Sequence, residues 1–303
     1  MTIKKNVINN IDVIEGLKQL PDNSIDCIIA DPPYNIGKDF GNNSDKQELI
    51  LYIQWCEQFI KEFERVIKPS GTGFIYGFSE ILAHLSVKLT LPQRWLIWHY
   101  TNKNAPLATY WQRSHESIIS FWKDSNLRIY NQDATREPYT DGFIKGAAGK
   151  QRKPTKGRFS DGITETTYNA NVLGAMGRDV IKIPSLAGGG GIPERIYYCH
   201  TCDDIFMGNK KEHKEHKLSE HPTQKPQELT KKLIQSTYKN QEDFTVLIPF
   251  AGSGSEAVYC KMSGIDFYSY ELNEEYANFA NKLIKKYSVD TTKKEKDVWK
   301  KLQ

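Results

Sequence analysis

The sequence predicts an α/β fold: a mostly parallel sheet with helices on both faces and an inserted region. Short apolar runs alternate with segments of helical periodicity through residues 1–123, and the same alternation returns in residues 222–303. Between them lies a stretch rich in Gly, Asn, Thr, Lys and Arg that has few apolar runs. Strands that alternate with helices build parallel sheets whose two faces are both covered. We therefore expect both ends of the chain to contribute to one sheet, with residues 124–198 as an insertion.

The apolar periodicity predicts the individual elements in order. In the first part of the chain it predicts strands at 24–30, 73–77, 94–100 and 117–123, and helices at 44–68 and 79–89. In the last part it predicts helices at 226–239, 254–263 and 274–287, and strands at 244–249 and 265–271. The first strand must end before Pro32 and Pro33, because proline cannot donate to a sheet ladder.

The composition excludes several classes of protein. Hydrophobic residues make up 39% of the 303 residues and charged residues 26%, a profile far from that of a disordered chain. The mean hydropathy is −0.59, and no apolar run approaches the length of about 18 residues that a membrane span needs. The first residues lack the apolar stretch of a secretory signal. Five cysteines do not make a disulfide framework and indicate a reducing interior. We therefore expect a cytoplasmic protein with no membrane partner.

The net charge of +4 is mild, but the cations are unevenly distributed. Residues 141–160 contain six of them against a single acid, Asp141, and glycines between the cations indicate a loop rather than a helix face. The six are Lys145, Lys150, Arg152, Lys153, Lys156 and Arg158. Cations that displace condensed counterions bind phosphate backbones, so this stretch predicts a nucleic-acid contact. The alternative is an ordinary solvated surface loop.

The first motif, Asp31-Pro32-Pro33-Tyr34-Asn35, directly follows the predicted strand at 24–30. Ligands of open α/β sheets bind at the carboxyl ends of strands. The two prolines remove both N–H groups, so the segment would present unpaired carbonyls and a carboxylate, acceptors suited to an amino group. Tyr34 adds a flat face on which a base could stack. The alternative is a turn that only ends the strand.

Two further motifs flank predicted helices. Pro249–Gly254 lies between a strand and a helix, where its glycines permit a tight turn and close approach of a ligand. Glu271, at the end of the next strand, could accept from ribose hydroxyls, and Ala257 is an allowed third residue of a dinucleotide fingerprint, so NAD is not excluded. The polar loop His221–Pro226 leads into a helix and could hold an anion there, or be an ordinary N-terminal turn.

The pair Cys199 and Cys202 is followed by His213, His216 and His221. This spacing is close to the C-x₂-C-x₁₂-H-x₃₋₅-H of zinc fingers. It predicts a zinc-binding loop at 199–221 with Cys199, Cys202, His213 and His216 as ligands and His221 as a competing fourth ligand. Such a site would be structural, because four protein ligands leave no open position. The alternative is two free cysteines beside a surface loop rich in Lys and His.

In the order D-P-P-Y-N, insertion, H-P-T-Q-K-P and P-F-A-G-S-G, the sequence resembles the β-class of amino DNA methyltransferases over residues 1–123 and 217–288. The resemblance implies a Rossmann-like methyltransferase fold and methyl transfer from S-adenosylmethionine to adenine N6 or cytosine N4 of duplex DNA. Asp31 at the head of the first motif is similar to the adenine-N6 members, and His115-Glu116 matches another segment of the family. Two departures are Ile248, where the family often has aspartate, and Ser255-Glu256, where it usually has two threonines.

The resemblance also implies roles for individual residues. The catalytic residues would be Asp31, Pro32, Pro33 and Tyr34. The cofactor would be held by Asp12, Asp31, His221, Thr223, Gln224, Lys225, Pro249, Phe250, Ala251, Gly252, Gly254, Glu271 and Leu272. Residues 1–123 would form the catalytic half, 124–198 the target-recognition region, and 222–303 the cofactor-binding half with a C-terminal tail. We expect the adenine to flip out of the duplex and stack on Tyr34, with Asp31 and the Pro32 carbonyl accepting its amino hydrogens.

Several alternatives remain open from the sequence. Cytosine-N4 transfer uses the same chemistry, and RNA is a further substrate class. A non-catalytic zinc-containing DNA-binding relative would explain the basic stretch and the Cys/His residues, but it would leave the motif at 31–35 without a role. An NAD oxidoreductase would leave the same motif idle. A cognate restriction endonuclease and a second copy of the chain are the further partners that the resemblance suggests.

Overall fold

The structure is a computed structural model, and it describes residues 2–39, 45–100, 102, 109–157, 161–167, 169–186, 194–208, 210–220 and 223–288. Contacts divide these residues into two compact units. One unit combines the described residues up to Tyr130 with those from Asp179 onward, and the other is Asn131–Arg178. No helix of the described residues is long and apolar enough to cross a membrane.

The described residues form the following elements. The strands are β1 (Ile8–Asn10), β2 (Ile25–Ala30), β3 (Ile67–Gly77), β4 (Gln93–His99), β5 (His115–Trp122), β6 (Gln151–Arg152), β7 (Thr166–Thr167), β8 (Val180–Lys182), β9 (Ile196–Cys199), β10 (Asp204–Met207), β11 (Leu218–Glu220), β12 (Thr245–Ile248) and β13 (Asp266–Glu271). The helices are α1 (Val13–Leu17), α2 (Leu49–Val66), α3 (Ser79–Ser86), α4 (Asp141–Gly146), α5 (Gln227–Ser236), α6 (Ser255–Met262) and α7 (Glu274–Ser288).

Eight strands of the larger unit form one sheet in the order β1-β13-β12-β2-β3-β5-β4-β8. Strand β5 is antiparallel to β3 and β4, and the other pairs in this sheet are parallel. The predicted mostly parallel sheet is confirmed. The chain continues from β2 to β3 on one side and from β12 to β13 on the other, so the strand order reverses between β2 and β12. Ligands of such sheets bind at the carboxyl ends of the strands beside this reversal.

Helices cover both faces of the sheet. Successive side chains of β2 point to opposite faces of the sheet. Cys27 and Ile29 therefore lie in one apolar cluster, and Ile28 and Ala30 lie in another. The first cluster is completed by residues of α5, α6 and α7, and the second by residues of α1, α2 and α3. Helix α2 begins at Leu49, whereas the predicted start at 44 lies outside the described residues.

The smaller unit spans fewer residues than the insertion predicted at 124–198. Strand β8 falls within that predicted range, but it pairs in parallel with β4 and so belongs to the main sheet. Within the smaller unit, β6 and β7 form an antiparallel pair. The prediction of a loop at the start of the basic stretch was wrong: Asp141–Gly146 form α4. Thr140 begins this helix, because its hydroxyl oxygen accepts from the Phe143 amide at 3.3 Å.

Candidate active site

The segments that follow β2 and β12 meet at a cavity of about 260 Å³. Most of the predicted catalytic and cofactor-binding residues line this cavity. They are Asp12, Asp31, Pro32, Pro33, Tyr34, Thr223, Gln224, Lys225, Pro249, Phe250, Ala251, Gly252, Glu271 and Leu272. Gly254 is not among the residues that line the cavity, and His221 lies outside the described residues. The fold thus brings together three motifs that are up to about 220 residues apart.

Asp31 interacts with three side chains that we call, with it, the Asp31 group: Tyr34, Glu116 and Lys225. Lys225 Nζ lies 2.9 Å from Asp31 Oδ2 and 3.3 Å from Glu116 Oε2. The Tyr34 hydroxyl lies 2.7 Å from Asp31 Oδ1 and 3.0 Å from Glu116 Oε2, and it accepts from Lys225 Nζ at 3.2 Å. One ammonium is therefore shared by two carboxylates at the carboxyl end of β2.

Burial controls the charges of this group. Lys225 is only 3% exposed, and its Nζ lies 5.3 Å from the ring centres of Tyr34 and Tyr76. Burial by itself would lower the pKa of Lys225, but Asp31 and Glu116 outweigh burial and raise that pKa. Burial also raises the pKa of Tyr34 well above its ordinary value, and the two carboxylates add to this effect. At neutral pH the lysine is therefore charged and the tyrosine neutral.

The backbone of the D-P-P-Y-N segment is held by side chains from outside the motif. The Tyr52 hydroxyl donates to the Pro33 carbonyl at 2.6 Å. The prediction that the motif leaves its carbonyls unpaired is therefore wrong at Pro33. Asn35 has a positive φ of 59°, which Asn tolerates, and its side-chain amide exchanges hydrogen bonds with the Gln47 backbone at 2.7 and 3.1 Å.

The turn after β12 has the tight geometry that its glycines predict. Gly252 donates its amide to Glu271 Oε2 at 2.8 Å, which ties the turn to the end of β13. Gly254 has φ +78°, and a Cβ there would lie 2.7 Å from Ala280 Cβ on α7. Burial raises the pKa of Glu271 above its ordinary value. Glycine at 254 therefore serves both the backbone conformation and the close packing of α6 on α7.

Gln224 lines the cavity, but both ends of its side-chain amide are used within the protein. Its Oε1 accepts from the Ile196 amide at 2.9 Å, and its Nε2 donates to the Glu194 carbonyl at 2.7 Å. Lys225, predicted with it as a cofactor contact, also lines the cavity and forms an ion pair with Asp31. The loop before α5 is thus fastened on one side to the start of β9 and on the other to the D-P-P-Y-N segment.

The motifs do not predict three polar residues of this region. Glu116 stands in the His115-Glu116 segment that resembles the family, but nothing in its own neighbourhood predicts a contact with Tyr34, 82 residues away. Glu256 stands at one of the two departures from the family pattern; it lines the cavity and is 6% exposed. Burial raises the pKa of Glu256 to about 7, and Asp31 contributes to the increase. Tyr52 carries no signal that separates it from the other core-facing residues of α2.

The remaining predicted residues lie elsewhere in the chain. Cys199, Cys202, His213 and His216 come together in the larger unit, away from the residues that line the cavity. Lys145, Lys150, Lys153 and Lys156 are exposed on the smaller unit, and none of them forms an ion pair within the described residues. Arg158 and the side chain of Arg152 lie outside the described residues.

Known proteins that are similar to this chain are DNA methyltransferases. The family model of N6/N4 methyltransferases, described as DNA methylase, matches residues 25–282. The type II methyltransferase M.HpaI of Haemophilus parainfluenzae is 27% identical over 280 residues, which cover 90% of this chain and 72% of that protein. The DNA adenine methyltransferase YhdJ of Escherichia coli is 28% identical over 269 residues, which cover 88% of this chain and 78% of that protein.

Solved structures show the same fold. The cytosine-N4-specific PvuII DNA methyltransferase matches with a TM-score of 0.60 and 14% identity, over 97% of this chain and 92% of that one. TTHA0409 of Thermus thermophilus, solved with S-adenosylmethionine, matches with a TM-score of 0.53 and 17% identity, over 93% of this chain and 95% of that one. The predicted Rossmann-like methyltransferase fold is confirmed. Because the family model spans most of the sequence, including all three motifs, the chain belongs to the N6/N4 family of DNA methylases.

Proposed function

We propose that this DNA methyltransferase transfers a methyl group from S-adenosylmethionine to N6 of adenine at a specific sequence in duplex DNA. The observation that carries the proposal is the Asp31 group, which places a fixed carboxylate and the strand-end prolines in one cavity with the glycine turn. An aspartate at the head of D-P-P-Y is similar to the adenine-N6 members of the family. The relative YhdJ is also named an adenine methyltransferase.

The residues at the ends of β12 and β13 suit the polar and apolar parts of the cofactor. When bound, S-adenosylmethionine supplies an electrophilic methyl group on its sulfonium. Glu271 accepts from the Gly252 and Asn273 amides at 2.8 and 2.9 Å through different oxygens, which fixes the carboxylate where it could also accept from a ribose hydroxyl. Phe250 and Leu272 line the cavity with apolar surface, and Leu272 is 61% exposed there. An exposed leucine beside a cavity suits contact with a flat ring.

Asp12 is a second acid at the cofactor side of the cavity. Its Oδ1 accepts from the Ile14 amide at 2.8 Å and the Glu15 amide at 3.3 Å, and so caps α1. Its Oδ2 has no hydrogen-bond partner among the described residues. We assign Oδ2 as an acceptor for the cofactor, with Oδ1 fixing its direction.

Asp31 would orient the target base. Its carboxylate and the Pro32 carbonyl would accept the two hydrogens of the exocyclic amino group, which directs the nitrogen lone pair away from both acceptors. Lys225 and the Tyr34 hydroxyl hold the carboxylate at 2.9 and 2.7 Å, so its position is fixed before the base arrives. No cysteine has to act as a nucleophile in this direct transfer.

The target base must leave the duplex, which costs a few kcal/mol of stacking and pairing. Tyr34 is the predicted stacking platform, but here its ring is 7% exposed and lies edge-on to Phe78 at 5.1 Å. A flipped base could stack on the ring only if base entry exposes a face of Tyr34. Lys225 would still hold the Asp31 carboxylate while it accepts from the amino group.

The smaller unit would supply contacts to the DNA backbone. Lys145, Lys150, Lys153 and Lys156 are exposed there and, within the described residues, without carboxylate partners. Exposed ammonium groups bind phosphates by displacing counterions, independently of sequence. The relative M.HpaI is named a type II methyltransferase. A cognate restriction endonuclease and a homodimer stay predictions from the sequence.

The proposal is tested by incubating the protein with labelled S-adenosylmethionine and unmethylated genomic DNA, followed by nucleoside analysis. N6-methyladenosine is the expected product. N4-methylcytosine would keep the site and overturn the assignment of the target base, and activity on RNA alone would overturn the assignment of the substrate.

Asp31→Asn is the matched variant, because it keeps the shape of the side chain and removes its charge. We expect transfer to fall by about 10²-fold or more, while binding of S-adenosylmethionine, measured by calorimetry, changes little. Near-normal transfer by this variant would contradict the role of Asp31.

A further inference from the structure

Four side chains outside the cavity converge on one point. Cys199 ends β9, Cys202 lies in the turn before β10, and His213 and His216 lie between β10 and β11. Their ligand atoms all lie within 4.8 Å of one another, and we call these residues the Cys/His cluster. Cys199 is buried, and the other three are partly or fully exposed.

The distances in the cluster match the edges of a tetrahedron around a metal ion. His216 Nδ1 lies 3.4 Å from Cys199 Sγ, 3.1 Å from Cys202 Sγ and 3.2 Å from His213 Nδ1. Cys202 Sγ and His213 Nδ1 are 3.8 Å apart. The other two pairs, which join Cys199 Sγ to Cys202 Sγ and to His213 Nδ1, lie within 4.8 Å. Zn–S bonds of about 2.3 Å and Zn–N bonds of about 2.0–2.1 Å in tetrahedral geometry give S···N edges of about 3.5 Å and N···N edges of about 3.3 Å.

Hydrogen bonding alone does not explain this arrangement. A ring nitrogen of histidine has one in-plane direction, in which it either donates or accepts. His216 Nδ1 nevertheless has three close neighbours, two sulfurs and one nitrogen. A cation in the middle accounts for all of them, because each ligand atom then directs its lone pair at the same point.

We propose that Cys199, Cys202, His213 and His216 bind one structural Zn²⁺ ion. Two thiolates and two imidazoles in a tetrahedron are the donors that zinc prefers among the common divalent ions. All four positions are filled by protein, so the ion has no place for water or substrate. The site is therefore structural and separate from methyl transfer.

A metal would stabilise the less well packed face of this part of the chain. Strands β9, β10 and β11 form a three-stranded sheet, and Ile196 and Ile205 on one face belong to the main apolar cluster. The face with the Cys/His cluster has three buried residues, Tyr197, Cys199 and Phe206, with Leu218 packed against them. So small a cluster stabilises little, and a metal is a common way to hold such a segment. The Phe206 ring stacks on His213 at 4.2 Å and 10°, which fixes the direction of that imidazole.

The same sheet holds the loop that closes the catalytic cavity. Gln224 accepts from the Ile196 amide at the start of β9, and Glu194 accepts from the Gln227 amide at 2.8 Å. Arg195, directly before β9, forms an ion pair with Glu220 of β11, with 2.9 Å between the guanidinium nitrogen and the carboxylate oxygen. Lys225, which binds Asp31, is the next residue after Gln224. Metal binding at the cluster would therefore stabilise the segment that positions Lys225.

Metal content is the direct test. The full-length chain is purified without a metal-affinity tag, and its metals are measured by plasma mass spectrometry. We expect about one zinc per chain, retained through dialysis and released when a mercurial titrates the thiols. A chain that carries no zinc, takes up none on adding zinc, and whose Cys199 and Cys202 are freely alkylated or disulfide-bonded would overturn the proposal.

Two variants are compared with a matched control. Cys202→Ser and His213→Ala each remove one ligand, and we expect bound zinc to fall by about tenfold or more. His200→Ala is the control, because His200 is exposed next to the cluster and pairs with Ser219 Oγ at 3.1 Å. The control should keep its zinc. Equal zinc in all three variants would contradict the ligand assignment.

Zinc content is measured independently of catalysis. A chain that binds zinc could therefore fail to transfer methyl groups, and a chain without zinc could still transfer them. Zinc removal from the wild-type chain with a chelator avoids any folding defect of a variant. We expect chelation to lower the thermal midpoint, and added zinc, but not magnesium, to restore it. An unchanged midpoint after complete removal of zinc would overturn the structural role.

Discussion

Lys225 supplies the positive charge that balances the two carboxylates of the Asp31 group. It is 3% exposed and carries a single positive charge between two carboxylates. Buried ion pairs contribute little net stability compared with apolar residues, but removing one partner leaves a buried charge without compensation. The arrangement is therefore better explained by orientation of Asp31 than by stability. Lys225 would then be a positioning residue, since it would act on the substrate through Asp31.

Replacing this lysine should affect stability and activity together. Lys225→Met leaves Asp31 and Glu116 facing each other, so we expect the free energy of unfolding to fall by about 3–5 kcal/mol. Chemical denaturation at neutral pH measures this change. Lys18→Met is the control: Lys18 is 57% exposed and pairs with Glu15 on the surface, so its loss should change the free energy of unfolding little.

A double variant separates the two roles of Lys225. Adding Glu116→Gln to Lys225→Met removes the excess negative charge and should restore much of the lost stability. Methyl transfer should stay low, because Asp31 has still lost the ammonium that fixes it. Full recovery of transfer by the double variant would show that Lys225 serves folding alone.

Glu256 makes stability depend on pH. Burial raises the pKa of its carboxyl to about 7 in the folded protein, from 4.5 in its ordinary state. The folded chain therefore keeps the proton at pH values where the unfolded chain has lost it. The contribution of Glu256 to stability is thus fully present below about pH 4.5, and it is lost as pH rises from there through the folded pKa of about 7.

Glu256→Gln stays neutral and removes this dependence. It should match the wild type near pH 4.5 and exceed it by up to about 3 kcal/mol above pH 7, which is the free energy of the pKa difference. Urea denaturation at several pH values between these limits measures the difference. Glu274→Gln, at an exposed position of α7, is the control and should show no such trend. If the difference in the free energy of unfolding between Glu256→Gln and the wild type did not change with pH, the raised pKa of Glu256 would be contradicted.

At the scale of elements, the sequence predicts the central sheet and its covering helices well. Residues 25–30 and 245–248 were both predicted as strands within a residue or two, because continuous apolar runs mark strands that are buried on both faces. Some elements of three to five residues are not predicted. Strands β1 and β11 and helix α1 are too short to show a period, and they depend on contacts with distant parts of the chain.

The sequence predicts only part of the candidate site, because local patterns mark the strand ends but not the contacts between distant residues. Motifs at strand ends can be found locally, because the fold dictates where strand ends meet. Side chains such as Glu116 and Tyr52 join the candidate site only through contacts with residues 82 and 19 positions away. No local pattern contains that information. The roles of the individual site residues stay predictions.

The turn from β12 to α6 contains a glycine that is constrained both by its backbone conformation and by its packing. Gly254→Ala would place a methyl group 2.7 Å from Ala280 Cβ at a φ of +78°. We expect a loss of about 1–3 kcal/mol in the free energy of unfolding. Gly142→Ala in α4 is the control, because a Cβ there meets nothing within 4 Å, and it should be close to neutral. Equal stability of the two variants would show that the turn tolerates a side chain.

At the scale of the whole molecule, two compact units carry different chemistry. The larger unit contains the cavity and the Cys/His cluster, whereas Asn131–Arg178 carries exposed cations and little buried apolar surface. The overall net charge of +4 would not attract DNA strongly by itself. Phosphate binding would therefore depend on where the charges lie rather than on their sum.

Neutralising cations of the smaller unit tests this distinction. Changing Lys150, Lys153 and Lys156 to Gln should weaken DNA binding to specific and unrelated sequences alike. The slope of log affinity against log salt should fall by about 0.9 for each phosphate that the variant no longer binds, up to about 2.7. Fluorescence anisotropy with a labelled duplex at several salt concentrations measures both effects.

The control is a second triple variant with the same change in net charge, Lys18, Lys61 and Lys88 to Gln. These three lysines belong to the larger unit, where each pairs with a glutamate. We expect a smaller decrease in affinity and an unchanged salt slope for this variant, because these lysines would bind no phosphate. If both triple variants showed the same decrease in affinity and slope, DNA binding would follow net charge, and the assignment of DNA binding to the smaller unit would be wrong.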